Sequence, residues 1–119
     1  MKIAVTASGP ELTSPVDQRF GRARYVVFVD LPGRTLQAVE NRGGVNAAQG
    51  AGVQTAQTVI DGKAEAVISG HCGPKAFRAL AAAGIRVYLT PPGSVAEALD
   101  RFERGELNEA SGADVDGHW

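Results

Sequence analysis

Cysteine is almost missing from the 119 residues, and Cys72 stands alone. One thiol closes no internal disulfide and builds no Cys-rich zinc centre. Charge of one sign is also lacking: 12 basic and 13 acidic residues leave a net charge of −1, which argues against a general nucleic-acid binder. No apolar run approaches the ~20 residues that cross a bilayer. Lys2-Ile3-Ala4-Val5-Thr6 meets Gly9-Pro10 too soon for a secretory leader, so the expectation is a cytoplasmic domain with no membrane partner. The common catalytic motifs are absent as well. Neither G-x-x-x-x-G-K-[ST] nor G-x-S-x-G occurs, and Thr55 stands where G-x-G-x-x-G needs its third glycine. Ile3-Ala4-Val5 carries no carboxylate, which excludes the acidic metal cluster of a nuclease. His71 and Cys72 are neighbours that point apart, and His118 is the only other imidazole. A thiol enzyme would therefore lack its acid and base.

What is present is a chain that is 44% apolar, enough for a core, with segments that alternate in period. Lys2 to Ala7 reads as a strand stopped by Ser8-Gly9-Pro10, and residues 10 to 24 read as a long loop. Tyr25 to Asp30 and Thr35 to Asn41 flank Leu31-Pro32-Gly33-Arg34 as a hairpin. Val53, Ala56, Val59 and Ile60 share one helical face, and Gly62 ends that helix. Ala64 to Ser69 is a fourth strand. Pro74 opens a second helix with Phe77, Leu80 and Ala81 inward, ended by Gly84. Ile85 to Thr90 is a fifth strand, and Ser94 with Glu97 forms a capping box before Val95, Ala98, Leu99 and Phe102. The fold class is α/β, a mixed five-stranded sheet of order 3-2-1-4-5 flanked by helices, with Ile3 and Val5 buried in a central strand. Residues 1–107 form one domain. The acidic stretch 108–119, with Glu109, Asp114 and Asp116, is expected to be disordered and dispensable.

Three segments are candidates for chemistry. Ser69-Gly70-His71-Cys72-Gly73-Pro74-Lys75 leaves a buried strand and enters a helix N-terminus, the edge where open α/β sheets place ligands. Gly70 and Gly73 let backbone approach closely, Lys75 adds charge, and a thiol at such a position is a thiolate candidate. The plainer alternative is a tight turn with Cys72 as a small buried hydrophobe. Arg19-Phe20-Gly21-Arg22-Ala23-Arg24 offers forked donors to an anion, or is a solvated basic loop. Asn41-Arg42-Gly43-Gly44-Val45-Asn46, followed by Gly50-Ala51-Gly52, either closes over a ligand that Gly52 approaches or simply connects hairpin to helix.

Taken together, Lys2-Ile3-Ala4-Val5, Val16-Asp17-x-x-Phe20-Gly21-x-Ala23, Asn41, Gly50-x-Gly52, Gly70-x-x-Gly73-Pro74-x-Ala76-Phe77 and Gly84-Ile85 resemble the dinitrogenase iron–molybdenum cofactor biosynthesis family. That family takes in nitrogenase cofactor carriers and the molybdenum–copper orange proteins of sulfate reducers, and a chain of this length is similar in kind to the latter. The resemblance implies a ribonuclease H-like fold without nuclease activity and non-covalent carriage of a metal–sulfur cluster, molybdenum–copper or another Mo/Fe type. Arg19 and Arg22 stand where members often have histidine beside the Phe-Gly pair, which favours electrostatic holding over histidine ligation. The residues expected at the cluster are Arg22, Arg24, Asn41, Gly52, Gly70, His71, Cys72, Gly73 and Lys75, with Cys72 the one candidate metal ligand. The alternative is an interaction module that docks on a P-loop ATPase. Either would be a monomer or weak dimer.

Overall fold

The computed structural model describes residues 1–42 and 50–112. Its centre is β1 (Lys2–Ala7), whose Ile3-Ala4-Val5-Thr6-Ala7 run is buried on both faces, as a central strand requires. β1 pairs antiparallel with β2 (Tyr25–Asp30), from Lys2↔Asp30 to Ala7↔Tyr25. β2 continues antiparallel to β3 (Thr35–Glu40). On its other side β1 runs parallel to β4 (Ala66–Ser69), with Val5 opposite Ile68, and β4 runs parallel to β5 (Arg86–Leu89). Ile3 and Val5 are fully buried, and the order 3-2-1-4-5 holds.

Alternation along β1 divides the core. Ala4 joins Val26, Phe28 and Val67 beneath α1 (Ala51–Asp61) and α2 (Pro74–Ala82), which contribute Ala56, Val59, Ala76 and Leu80. Ile3 and Val5 join Val27, Val29 and Ile68 on the other face, covered by Val95, Ala98 and Leu99 of α3 (Val95–Glu103). The result is a mixed sheet between helical layers, the ribonuclease H-like α/β arrangement. Among the described residues no helix is long and apolar enough to cross a membrane.

Three expectations need correction. The sheet has a sixth strand, β6 (Asn108–Glu109), antiparallel to β5, so the stretch expected to be disordered does not begin at 108. Leu107 and Ala110 explain it. They pack against opposite core faces, and the Ala110 N–H donates to the Val87 carbonyl at 2.8 Å, which holds the two residues between them on the sheet edge. So short a strand has no period to read. Residues 113–119, including His118 and Trp119, lie outside the described residues. Val53 is 42% exposed, because Thr55 takes the inward position on α1 with its hydroxyl bonded to the Ala51 carbonyl. Ala81 is also exposed, and Ala76 takes its place beneath α2.

The capping box at α3 is complete: the Glu97 N–H donates to Ser94 Oγ at 3.1 Å, and the Ser94 N–H donates to Glu97 Oε1 at 2.9 Å. The Ser94 N–H bond to the carboxylate, and after it the Ser94 side chain, hold the Glu97 carboxyl below its ordinary value of 4.5. A lowered folded value means stabilisation that is present above the unfolded pKa and lost as pH falls through the folded one. Glu97→Gln is therefore expected to melt below wild type at neutral pH, with the gap closing in acid. Thermal melts of both proteins across that range check it.

Candidate functional site

Strand direction decides what meets at the edge. Ala7 ends β1 opposite Tyr25, and Tyr25 lies opposite Glu40. The loop 8–24, Asn41 and the turn after Ser69 are thereby brought to the edge where the parallel strands β1 and β4 end, the edge where α/β sheets take ligands.

The loop is stitched to that edge by a small polar network. The Asp17 N–H donates to the Thr6 carbonyl at 2.9 Å, and the Thr6 hydroxyl lies 3.0 Å from the Asp17 carbonyl and 2.8 Å from Ser69 Oγ. Thr6 and Ser69 are fully buried, the polar last turns of two apolar strands. Arg19 pairs with His71 as an isolated parallel bridge, and the Phe20 N–H donates to the His71 carbonyl at 3.2 Å. The arginine segment thus lies against the turn after β4. Within it, Phe20–Arg22 makes one turn of 3-10 helix and buries Phe20.

Asn41 is buried and works as a clamp. Its side-chain amide donates to the Ala23 carbonyl at 2.9 Å and to Thr55 Oγ1 at 2.8 Å, and its N–H donates to the Arg24 carbonyl at 2.8 Å. Thr55 Oγ1 also lies 3.3 Å from the Gly21 carbonyl. Asn41 therefore fixes the arginine segment and α1 rather than presenting a donor outward. Gly52 is likewise spent on packing: a Cβ there would stand 3.1 Å from Ala76 Cβ, so the close approach is to α2. Gly43 to Asn46 lie outside the described residues.

Cys72 is 1% exposed and packs in the core under α1 and α2, with Sγ 3.7 Å from the Gly73 carbonyl. The small-hydrophobe alternative describes its surroundings. His71 is half-buried, and Gly73 is the N-cap of α2 in extended backbone with no side-chain cap. By contrast the first amides of α3 are used inside the fold, Val95 and Ala96 donating to the Ser14 and Leu12 carbonyls. Arg22 is half-buried, while Arg24 and Lys75 are exposed and enter no ion pair among the described residues. Arg19 is 3.8 Å from the Asp17 carboxylate, which offsets part of its charge. Among the described residues no three His, Cys, Asp or Glu side chains are grouped to hold a metal ion. A groove of about 240 Å³ between α2 and β5–β6, lined by Phe77, Ile85, Val87 and Ala110, contains none of the candidate residues.

The structure thus brings Arg22, Arg24, Gly70, His71, Gly73 and Lys75 to one edge, and turns Asn41, Gly52 and Cys72 into its supports. Sequence reasoning gave no part to Gln18 or Thr6, and took Ser69 only as the start of the turn after the fourth strand. The two hydroxyls left a signal, as polar ends of otherwise apolar strands. Gln18 left none.

The fold has close counterparts. The apo form of the orange protein from Desulfovibrio gigas is 40% identical, with 96% of each chain covered and a TM-score of 0.92. A protein provisionally named NifB from Thermotoga is 34% identical over 98% of each chain, TM-score 0.84. A provisionally named dinitrogenase from Methanocaldococcus jannaschii, 15% identical over 94% of this chain and 96% of its own, matches in fold at a TM-score of 0.72. No curated protein matches. The family described as "Dinitrogenase iron-molybdenum cofactor" matches residues 1–105, and the chain belongs to it.

Proposed function

We propose that the chain is a non-enzymatic carrier that holds an anionic molybdenum-containing sulfide cluster, of the molybdenum–copper or iron–molybdenum type, by charge and hydrogen bonding. The observation that carries this reading is the Arg19–His71 bridge, which lays the arginine segment against the turn leading to Lys75. Cations on both sides of one edge suit an anion whose metals already have sulfide ligands. No chelating set is grouped among the described side chains, which suits cargo that brings its own ligands. The likeness to the orange protein, over nearly the whole of both chains, supports the same cargo class here. Arg22, Arg24 and Lys75 would supply charge, and the Gly70–Gly73 backbone would supply close approach. A reducing cytoplasm suits both sulfide cargo and a lone thiol.

The test is purification without oxygen, followed by molybdenum, copper, iron and sulfide analysis and a visible spectrum, before and after incubation with tetrathiomolybdate and copper. Metal and colour that stay with the protein through desalting are expected. Protein that keeps no metal under either condition overturns the carrier reading and favours docking on a P-loop ATPase.

A further inference from the structure

Gln18 holds an orphan. Its side-chain Nε2 is sealed from solvent and meets no hydrogen-bond acceptor, one of two such buried atoms among the described residues. Folded proteins leave few buried donors unmade, because each has lost its water without gaining a partner. The backbone around Gln18 cannot shift to supply one. Asp17 before it is bonded in both directions to Thr6, the Asp17 carboxylate accepts from the Arg19 N–H at 2.9 Å, and Phe20 is held by His71.

Gly70 keeps the place where the amide lies. A Cβ at Gly70 would fall on Gln18 Oε1, 2.6 Å from Gln18 Cδ and 2.7 Å from Gln18 Cα. Gly70 is not in the left-handed region, so no turn geometry calls for glycine there. It is needed for the room. A space-filling role at 18 would be met by Leu or Met at no polar cost. A donor held on a pinned loop, beside the arginine segment, with no acceptor inside the protein, suits an acceptor that arrives from outside.

We propose that the Gln18 side-chain amide is a hydrogen-bond donor to the bound anion, turning from the face of Gly70 to a sulfide or oxo ligand of the cargo. The proposal rests on the carrier reading and adds to it a neutral, directional contact. Such a contact selects for an anion with outward-facing acceptor atoms, which a ring of cations alone does not do.

Wild type, Gln18→Met and Gln18→Glu are loaded with tetrathiomolybdate and copper, and bound molybdenum per protein is compared after desalting at fixed salt. Thermal midpoints are taken on the metal-free proteins. Removing an orphaned donor should raise the Gln18→Met midpoint by about 4 °C or more while lowering its affinity roughly tenfold, the share of one hydrogen bond to a charged acceptor. Gln18→Glu should lose more, since it replaces the donor with a negative charge. In wild type the Gln18 side-chain NH₂ signals, followed by nitrogen–proton NMR, should move on loading, a readout that needs no variant. Retention by Gln18→Met equal to wild type, a lowered midpoint, or NH₂ signals that stay in place would each overturn the proposal. Wild type that binds no molybdenum would overturn the carrier reading and this contact with it.

Discussion

Gly70→Ala is expected to lose about 1–3 kcal/mol of stability, the range for forcing extra volume into a packed site, and most of its capacity to retain cargo. The added methyl would meet Gln18 Cα at 2.7 Å, and that atom is backbone. Swinging the Gln18 side chain aside relieves only part of the clash. The rest must move the segment 17–20, which hydrogen bonds to Thr6 and His71 hold against β1 and the turn after β4. Moving it carries Arg19, Phe20 and Arg22 away from the edge together. Gly33→Ala supplies the comparison. Nothing lies within 4 Å of a Cβ there and its backbone is not left-handed, so the same substitution should change stability by no more than about 0.5 kcal/mol. Denaturant midpoints of the two variants, with an unchanged m-value, separate the cases. Equal stability would mean that the loop yields and does not position the cations.

The contrast between these glycines shows where sequence stops being informative. The glycines of Gly70-His71-Cys72-Gly73 read either as room for backbone to approach a ligand or as the ends of a tight turn, and the sequence alone does not separate the two. Neither is left-handed: Gly73 is extended at φ −80°, and Gly70 yields space to a residue 52 positions earlier. Contacts of that separation leave no local pattern. The strand order was legible for the opposite reason. Lys2 to Ala7 has an unbroken apolar centre, Ile3-Ala4-Val5, which suits a central strand, and the turn at Leu31-Pro32-Gly33-Arg34 made β2 and β3 an antiparallel pair. Asn41 lies between these extremes. A polar residue ending a strand is as fit for a ligand as for a clamp, and only its bonds to Ala23 and Thr55 decide between them. Cys72 likewise has the composition of a reactive site and the burial of a core residue.

That burial sharpens the choice between charge and ligation. Cys72→Ser removes the thiolate candidate but keeps a donor near the Gly73 carbonyl, so the fold should persist. Retention should be close to wild type if sulfide in the cargo supplies the ligands. Reversing the exposed charges, Arg24→Glu with Lys75→Glu, should act differently. A unit charge ~8 Å from a dianion is worth roughly 1 kcal/mol in water, so two reversals remove about 4 kcal/mol before screening. Salt at physiological strength, with a Debye length of about 8 Å, cuts this to on the order of 1–2 kcal/mol, or about tenfold in affinity. The loss should therefore be graded, deeper at high salt in wild type and flatter with salt in the doubly reversed variant. A thiolate–metal bond behaves otherwise: its removal abolishes binding at every ionic strength. Bound molybdenum and copper after desalting, measured across a salt series for wild type and both variants, discriminate the two. Full loss in Cys72→Ser, with a flat salt response in wild type, would require Cys72 to leave the core and ligate the metal, and the electrostatic account would fall.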